Sequence, residues 1–523
     1  MRADWPSRVW IFSFEFEGFV KAGGLGAAVA RHARALAGAG IEVTVLVPSH
    51  GKHVQNAVEE GRWSGTREGV DGASYGYSVS AESTRIDGVK LVVFRGADPH
   101  TSRFLDDPEV YREAPEKTAL YTRGAIHWAV EQPRPPDIIH SNDWTAVMAA
   151  SAIKNIYSSK NIDVPWVHTI HLVSSPSFPW HYASEGWAGV PNIRQSVLSH
   201  DGSYTAYTSE IWDGVGGNVD AYSAAASDLL TSVSRGYLEY LLSRWPYVPP
   251  EKTSYVYNST DWTQNEVKEY VAKAFGTVSR KKLRKMVVDK ILENVKSYVG
   301  GLGDTELLAV AHGRLVWQKG YDILMQSVDY MDRSLGVLIL GLSSGDVGHE
   351  EYLRRLAEQR PGRILMTVGH VPQMLLKAAI YSANVAAVPS RYEPFGISSI
   401  ESQALGTPVV ATSIPGLSET VKDIYHYDDG GGKLVGYEET NYLGLAITSV
   451  ALLTEAVDTR KQSLADKIPF EFVKQRFNSL KKIRTNAAAW VDQNFREKNT
   501  LEQLLNCYEK ARRISVESFT RVS

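Results

Sequence analysis

Cysteine is almost absent: Cys507 is the only one in 523 residues. One thiol makes neither an internal disulfide nor a thiolate zinc cluster, so a reducing, cytoplasmic setting is expected. Neither sign of charge is in excess. Lys and Arg total 56 against 59 Asp and Glu, a net −3 with His neutral. No global positive field therefore draws nucleic acid or an anionic membrane, and an anionic ligand must be met by local cations. Long apolar runs are missing as well. The longest near-apolar stretch, Leu443 to Val457, is interrupted by Thr448, Ser449, Thr454 and Glu455, short of the ~20 apolar residues of a membrane helix. No membrane partner is expected. Near the N-terminus the run Val9 to Phe12 is too short for a signal-peptide core, and this end reads as mature protein.

What is present is globular composition, with 43% hydrophobic and 22% charged residues, and enough length for two large domains. Short β-rich runs alternate with helical patterns: Val9–Phe14, Glu42–Val47, Lys90–Phe94, Asp137–His140, Pro165–Ile170 and Asp228–Val233. A second series runs through Glu306–Ala311, Gly336–Leu340, Arg363–Val368, Val385–Val388 and Pro408–Thr412. Such spacing is the mark of β-α-β units, so the fold class is α/β with two doubly wound domains in tandem. The expected domains are 1–260 and 261–490, with a C-terminal helix, 491–523, returning to the first. Residues 263–300 carry nine Lys/Arg against four Asp/Glu. With helical periodicity at Leu283, Met286, Val287, Ile291 and Val295, they read as a basic helical connector with a solvated face and a flexible Gly300-Gly301-Leu302-Gly303 end. Leu480 to Arg513 reads as helical, with Trp490, Phe495, Leu501, Leu504, Leu505 and Tyr508 as burial positions.

Three constellations carry chemistry. Lys21-Ala22-Gly23-Gly24-Leu25-Gly26 follows a strand and opens an Ala-rich helix, where glycines admit close backbone approach and a helix N-terminus favours an anion. The spacing fails the dinucleotide fingerprint, since Val29 stands where its third small residue belongs. Arg314 and Lys319 flank the carboxyl end of the first strand of the second series, placed to grip one diphosphate. Pro389 to Ile397 follows another strand and leads into a helix, carrying Glu393 and, eight residues on, Glu401. Carboxylates there suit sugar hydroxyls; a helix-terminal acid complementing the dipole is the plainer alternative for Glu401. Asp143 is equally well read as the cap of a helix beginning near Trp144. His168 and His171, three apart on a strand, point to opposite faces and make no metal pair. The chain has 13 Trp and 26 Tyr, and Phe178, Trp180, Tyr182 and Trp187 cluster after His171. Their faces suit packing, a subunit contact or the stacking of sugar rings.

These motifs in this order resemble the glycogen/starch synthase group of retaining glycosyltransferases. Lys21 to Leu25 is similar to the group's K-x-G-G-L, His140-Ser141-Asn142-Asp143-Trp144 to H-x-x-D-W, Thr169-Ile170-His171 to T-I-H, and Glu393 with Glu401 to E-x7-E. Pro415-Gly416-Leu417 departs from the usual Gly-Gly-Leu. The resemblance implies a GT-B architecture, two facing Rossmann-like domains with the donor in the cleft between them, and hinge closure on binding. It implies transfer of glucose from ADP-glucose or UDP-glucose to an α-1,4-glucan, with a nucleotide-sugar donor and a glucan acceptor as partners; a homo-oligomer stays open. Lys21, Gly23, Gly24, Arg314 and Lys319 would hold the diphosphate. Glu393 and Gly396 would face the donor sugar and Glu401 the ribose, while His171 and Asp143 would stand at the reacting and acceptor side. No cofactor or metal is implied, and the sequence has no Asp-x-Asp. A transferase making a small glucoside or disaccharide and a non-catalytic carbohydrate-binding regulator are the alternatives. A dinucleotide-dependent oxidoreductase is disfavoured by the glycine spacing.

Overall fold

Val9, Trp10, Ile11 and Phe12 are all buried, Trp10 and Phe12 in one core and Val9 and Ile11 in another. A continuous apolar run with a two-residue side-chain period is what a strand covered on both faces requires. This run is β1 (Arg8–Phe12), the central strand of a nine-stranded sheet in the computed structural model, which describes residues 5–520. After it come β2 (Glu42–Pro48), β3 (Val58–Glu68), β4 (Ser74–Ile86), β5 (Val89–Gly96), β6 (Ile138–Asn142) and β7 (Trp166–Ile170). A separate hairpin of β8 (Arg194–Ser199) and β9 (Gly202–Tyr207) precedes β10 (Leu229–Ser232) and β11 (Thr253–Tyr255). The sheet order is β11-β10-β7-β6-β1-β2-β5-β4-β3. Pairing is parallel from β11 to β5 and antiparallel across β5, β4 and β3.

A second sheet contains β12 (Tyr298–Gly301), β13 (Leu307–Arg314), β14 (Leu335–Leu342), β15 (Ile364–Val368), β16 (Val385–Val388), β17 (Val409–Thr412) and β18 (Gly432–Val435). Its order is β12-β15-β14-β13-β16-β17-β18, parallel except for β12. In each sheet the order reverses beside the first parallel strand, between β1 and β6 and between β13 and β16. Ligands of open parallel sheets bind outside the strand carboxyl ends at such points.

The chain divides into two compact units, Met1–Asn258 with Glu497–Ser523, and Ser259–Arg496. The C-terminal helical pattern is broken rather than continuous: Ile483–Asn494 belongs to the second unit and Glu497–Phe519 to the first. At the break the Arg496 guanidinium donates to the carbonyls of Thr260 and Trp262, each at 2.8 Å. Beyond it Leu504, Leu505, Tyr508 and Ala511 enter the core that also holds Val29 and Leu36 of the Gly24–Gly38 helix. Trp490 and Leu501, expected inside, are half-buried.

The basic segment 263–300 keeps a solvated face, with Lys273, Lys281, Lys282, Lys285, Lys290 and Lys296 exposed, but it is not a connector with a flexible end. It forms the helices Gln264–Phe275 and Arg280–Asn294 and the strand β12, all built into the second unit. Leu283, Val287 and Ile291 are buried, whereas Met286 is exposed. Arg284 is buried against Glu455 at 2.6 Å and also donates to the Glu306 carbonyl. Arg280 donates to the carbonyls of Tyr381 and Leu405. These cations satisfy strand- and helix-end carbonyls, a use that net charge does not reveal. Gly300 and Gly301 lie in β12, paired to Leu365 and Ile364.

The apolar stretch near Leu443 also differs from expectation. It lies in a 20-residue helix, Thr440–Thr459, long and apolar enough to cross a membrane, and alone in that among the described residues. Most of it is buried in the core of the second unit, with Ile447, Val450 and Leu453 fully inside.

Candidate active site

In the first unit the glycine loop and three further segments meet at the carboxyl ends of β1, β6 and β7. Leaving β1, the chain reaches Glu15, whose side chain is 1% exposed. Its Oε2 accepts the backbone N–H groups of Ala22 (2.7 Å) and Gly23 (2.8 Å), and its Oε1 the Tyr111 hydroxyl. A buried carboxylate thus sets the shape of the loop. Gly26 packs tightly on this carboxylate, since a Cβ there would stand 3.3 Å from both Glu15 Oε2 and the Val20 carbonyl. Gly24 begins the helix Gly24–Gly38, which has no side-chain cap and no acid in its first turn, leaving N–H groups and the positive end of the dipole for an anion. Lys21 pairs with Glu17 and stays half exposed.

Asp143 follows β6 with φ +57°, an uncommon backbone for a non-glycine residue. It caps no helix, contrary to that reading of it: no side-chain cap bond is made to the turn Trp144–Ala146. Instead its Oδ1 accepts the N–H groups of His171 (2.7 Å) and Leu172 (3.2 Å), fixing the chain as it leaves β7. Burial, with Asp220 and Glu15 nearby, pushes the Asp143 carboxyl up to about 8 against the pull of those two donors. His171 Nε2 lies 3.0 Å from Asn142 Oδ1, so the ring is the tautomer that donates from Nε2. Burial, with His32 and His168 nearby, pushes His171 down to about 3, and it stands as a neutral imidazole.

Behind it sits His32, 1% exposed, its ring centroid 6.5 Å from that of His171 at 34°. Burial, with Arg31, holds His32 at about 4. His168, on β7, turns to Ser141 Oγ at 2.7 Å. No group of three His, Cys, Asp or Glu residues suited to a metal ion occurs among the described residues.

In the second unit Arg314 ends β13 and is exposed. The chain then turns through Trp317–Lys319 to Gly320, at φ +64°, where a Cβ would meet the Pro389 carbonyl at 2.1 Å. That close approach joins the turn to the segment after β16. The Arg391 N–H donates to the Gln318 carbonyl (2.8 Å), and Gln318 Nε2 to that of Tyr392 (2.7 Å). Lys319 Nζ is thereby held 2.5 Å from Glu393 Oε2, which Ser390 Oγ also approaches at 3.3 Å.

Gly396, at φ +103°, opens the helix Ile397–Ala404, and a Cβ there would strike Leu417 Cδ2 at 2.5 Å. Glu401 lies half-buried in that helix. At Pro415-Gly416-Leu417 the Gly416 N–H donates to the Glu393 carbonyl (3.2 Å), and a side chain at Gly416 would collide with that same oxygen. The glycine this contact needs is kept although the residue before it is proline.

The sequence-identified residues therefore form two groups. Gly23, Gly24, Asp143 and His171 gather at the first switch point, with Lys21 on the approach; Arg314, Lys319, Glu393 and Gly396 gather at the second, with Glu401 further along the helix. Glu15, Asn142 and His32 escaped sequence reading. The spacing of Glu15 from the glycines was the only signal for it, and His32 looks like any residue of an Ala-rich helix.

Comparison with known proteins bears on each unit in turn. A family described as starch synthase catalytic domain matches residues 8–245, and one described as glycosyl transferases group 1 matches residues 296–429. The chain is 25% identical over 445 residues to the glycogen synthase of Desulfitobacterium hafniense, covering 82% of this chain and 86% of that one. It is 24% identical over 515 residues to the glycogen synthase of Koribacter versatilis, covering 95% and 96%. Its fold is shared with the catalytic domain of starch synthase IV from Arabidopsis thaliana, solved with ADP and acarbose, at a TM-score of 0.66 and 16% identity over 97% of this chain and 99% of that one. Sucrose-phosphate synthase from Thermosynechococcus elongatus has the same GT-B fold at a TM-score of 0.59 and 17% identity, covering 98% and 100%. With a synthase family on the first unit, a transferase family on the second and glycogen synthases alike along most of the length, the chain belongs to the glycogen/starch synthase group of glycosyltransferases.

Proposed function

We propose that the protein is a glycogen synthase-like, retaining α-glucosyltransferase that moves glucose from ADP-glucose or UDP-glucose to the non-reducing end of an α-1,4-glucan without a metal ion. The observation that carries the reading is the Lys319–Glu393 pair at the carboxyl end of the second sheet's switch point. A cation for the leaving group and a carboxylate for sugar hydroxyls are stored there as one ion pair. An arriving diphosphate competes for Lys319 and releases Glu393 to the donor's hydroxyls, so binding the two ends of the donor is coupled.

Breaking the glycosyl–phosphate bond leaves positive charge at the anomeric carbon and negative charge on the diphosphate. Arg314, Lys319, Lys21 and the N-terminus of the Gly24–Gly38 helix are assigned to the diphosphate, as preorganised positive groups. They take the place of the metal that an Asp-x-Asp motif would hold. Glu401 is assigned to the ribose. His171, neutral and anchored by Asn142, puts no like charge beside a developing oxocarbenium ion, and Asp143 positions it through the backbone. Retention follows if the acceptor attacks from the leaving-group side and a phosphate oxygen takes its proton.

The test is incubation with ADP-glucose and with UDP-glucose, each with glycogen and with glucose, measuring nucleoside diphosphate release and product length. Glycogen-dependent release with lengthened chains is expected, and the more active donor is thereby identified. Release with glucose alone gives the disaccharide-forming alternative, and no release with either donor overturns the catalytic reading.

A further inference from the structure

Beyond His171 the chain is fixed residue by residue. The Leu172 N–H is held by Asp143, the Val173 N–H donates to the Tyr237 hydroxyl at 2.8 Å, and those of Ser174 and Ser175 donate to the Asp220 carboxylate at 3.2 and 3.0 Å. It then enters the wall of a cavity of about 350 Å³ within the first unit, lined by Pro176, Ser177, Phe178, Tyr182, Trp187 and Glu116 among others. That volume lies in the usual range for small-molecule sites, roughly 300–1,000 Å³.

The lining is set before any ligand arrives. Tyr182 stands edge-on to Phe178 at 87° and to Trp187 at 86°. Phe178 is held at both main-chain groups: its N–H donates to the Gly217 carbonyl at 3.1 Å, and its own carbonyl accepts from Trp212 Nε1 at 2.9 Å. The Arg67 guanidinium backs the Trp187 ring at 4.2 Å and pairs with Glu116 at 2.5 Å, tying the ring and the carboxylate into one assembly. The cavity is thus lined by three rings, that of Tyr182 near right angles to the other two, and by Glu116, whose partner Arg67 has a fully buried side chain.

That chemistry fits a pyranose, whose C–H faces lie on aromatic rings and whose hydroxyls donate to a carboxylate. It does not fit a phosphate. We infer that this cavity is a subsite for the glucan chain behind the reacting end, an inference that rests on the proposed glucosyl transfer. Four residues lie between His171 and Pro176, which places Pro176 at most roughly 18 Å from His171, within the reach of a maltooligosaccharide chain whose end lies at His171.

The test uses the full chain and maltoheptaose. Calorimetric titration without donor measures binding, and acceptor kinetics with maltoheptaose and maltose measure length preference. The variants are Tyr182→Ala, at an exposed position, and Trp187→Leu, with Tyr204→Ala on the exposed strand β9 as a control outside the cavity. Tyr182→Ala is expected to weaken maltoheptaose binding at least tenfold and to cut its advantage over maltose by a similar factor, while Tyr204→Ala changes neither. Should Trp187→Leu fold poorly through loss of its Arg67 contact, Tyr182→Ala decides. Binding and length preference at the unsubstituted level in Tyr182→Ala overturn the subsite and leave the transferase reading standing. Cavity-dependent binding without transfer to any acceptor overturns that reading and leaves the subsite as a glucan site.

Discussion

Lys319 and Glu393, assigned to the leaving group and the donor hydroxyls, form an ion pair at the edge of the second unit's core. Their side chains are 20% and 10% exposed, and a single part-buried charged hydrogen bond contributes about 1–3 kcal/mol. A donor stabilised at its leaving group loses about 10²–10³ in kcat when one such contact is removed. Lys319→Ala is therefore expected to lower kcat for glucosyl transfer about 100-fold or more while melting only a few degrees lower. A large fall in melting temperature with kcat nearly kept would make the pair structural. Glu393 and Lys319 were legible in the sequence because both flank strand ends beside glycines. Glu15 was not, since a buried carboxylate serving backbone N–H groups carries no local pattern.

At the scale of elements, the Gly24–Gly38 helix and strand β7 with the residue after it together contribute three buried imidazoles whose protonation burial opposes: His32 at about 4, and His168 and His171 at about 3. Their unfolded values lie near 6.5, so between about pH 6.5 and 4 the unfolded chain binds more protons and stability falls as pH falls. Each imidazole contributes up to about 1.4 kcal/mol per pH unit. Asp143 works in the opposite sense. Raised to about 8, it binds its proton in the folded state, and stability falls as pH rises from about 4 to 8. Three groups outweigh one on the acid side, and His50 at about 3 and His312 at about 4 add to them, so melting temperature should fall as pH is lowered from about 6.5 toward 4. His32→Leu should flatten the acid limb by about one imidazole's worth.

A second prediction at this scale concerns β12. A Cβ at Gly300, with φ +78°, would meet the Ile364 carbonyl at 2.1 Å, whereas one at Gly301 meets nothing within 4 Å. Gly300→Ala is expected to destabilise the protein by about 1–3 kcal/mol and Gly301→Ala hardly at all, compared by denaturant unfolding. The β-α-β runs were readable because strands buried on both faces are apolar throughout. The hairpin of β3 and β4 was not: β3 is mostly exposed and holds Gly61 and Gly65, while the inward side of β4 is Tyr77, Val79, Ala81 and Ser83, too small and polar to stand out. Hairpin β8–β9 was missed for the same reason, with little of either strand buried.

For the whole molecule, the decisive feature is that the first unit is made from two stretches of chain. The Tyr508 hydroxyl, on the returning helix, lies 2.9 Å from Nδ1 of His140, both side chains being fully buried, and the other His140 nitrogen meets Thr169. Tyr508→Phe leaves that ring nitrogen unpaired in the core and should cost about 1–3 kcal/mol. The loss should register in the unfolding of the first unit, followed by hydrogen exchange of β6 and β7, and leave β13 and β14 unchanged.

This division also orders events on the ribosome. The 238 positions between Asn258 and Glu497 take roughly 12–48 s to translate at about 5–20 residues per second. Throughout that interval the nascent first unit lacks the helix that covers Val29 and Leu36, while Ser259–Arg496, one uninterrupted stretch, is completed before it. A polypeptide released early would thus carry a finished transferase half and an open synthase half, prone to capture by chaperones and unable to turn over. Competence for glucan synthesis is then tied to complete translation through Glu497–Phe519, without any dedicated checkpoint.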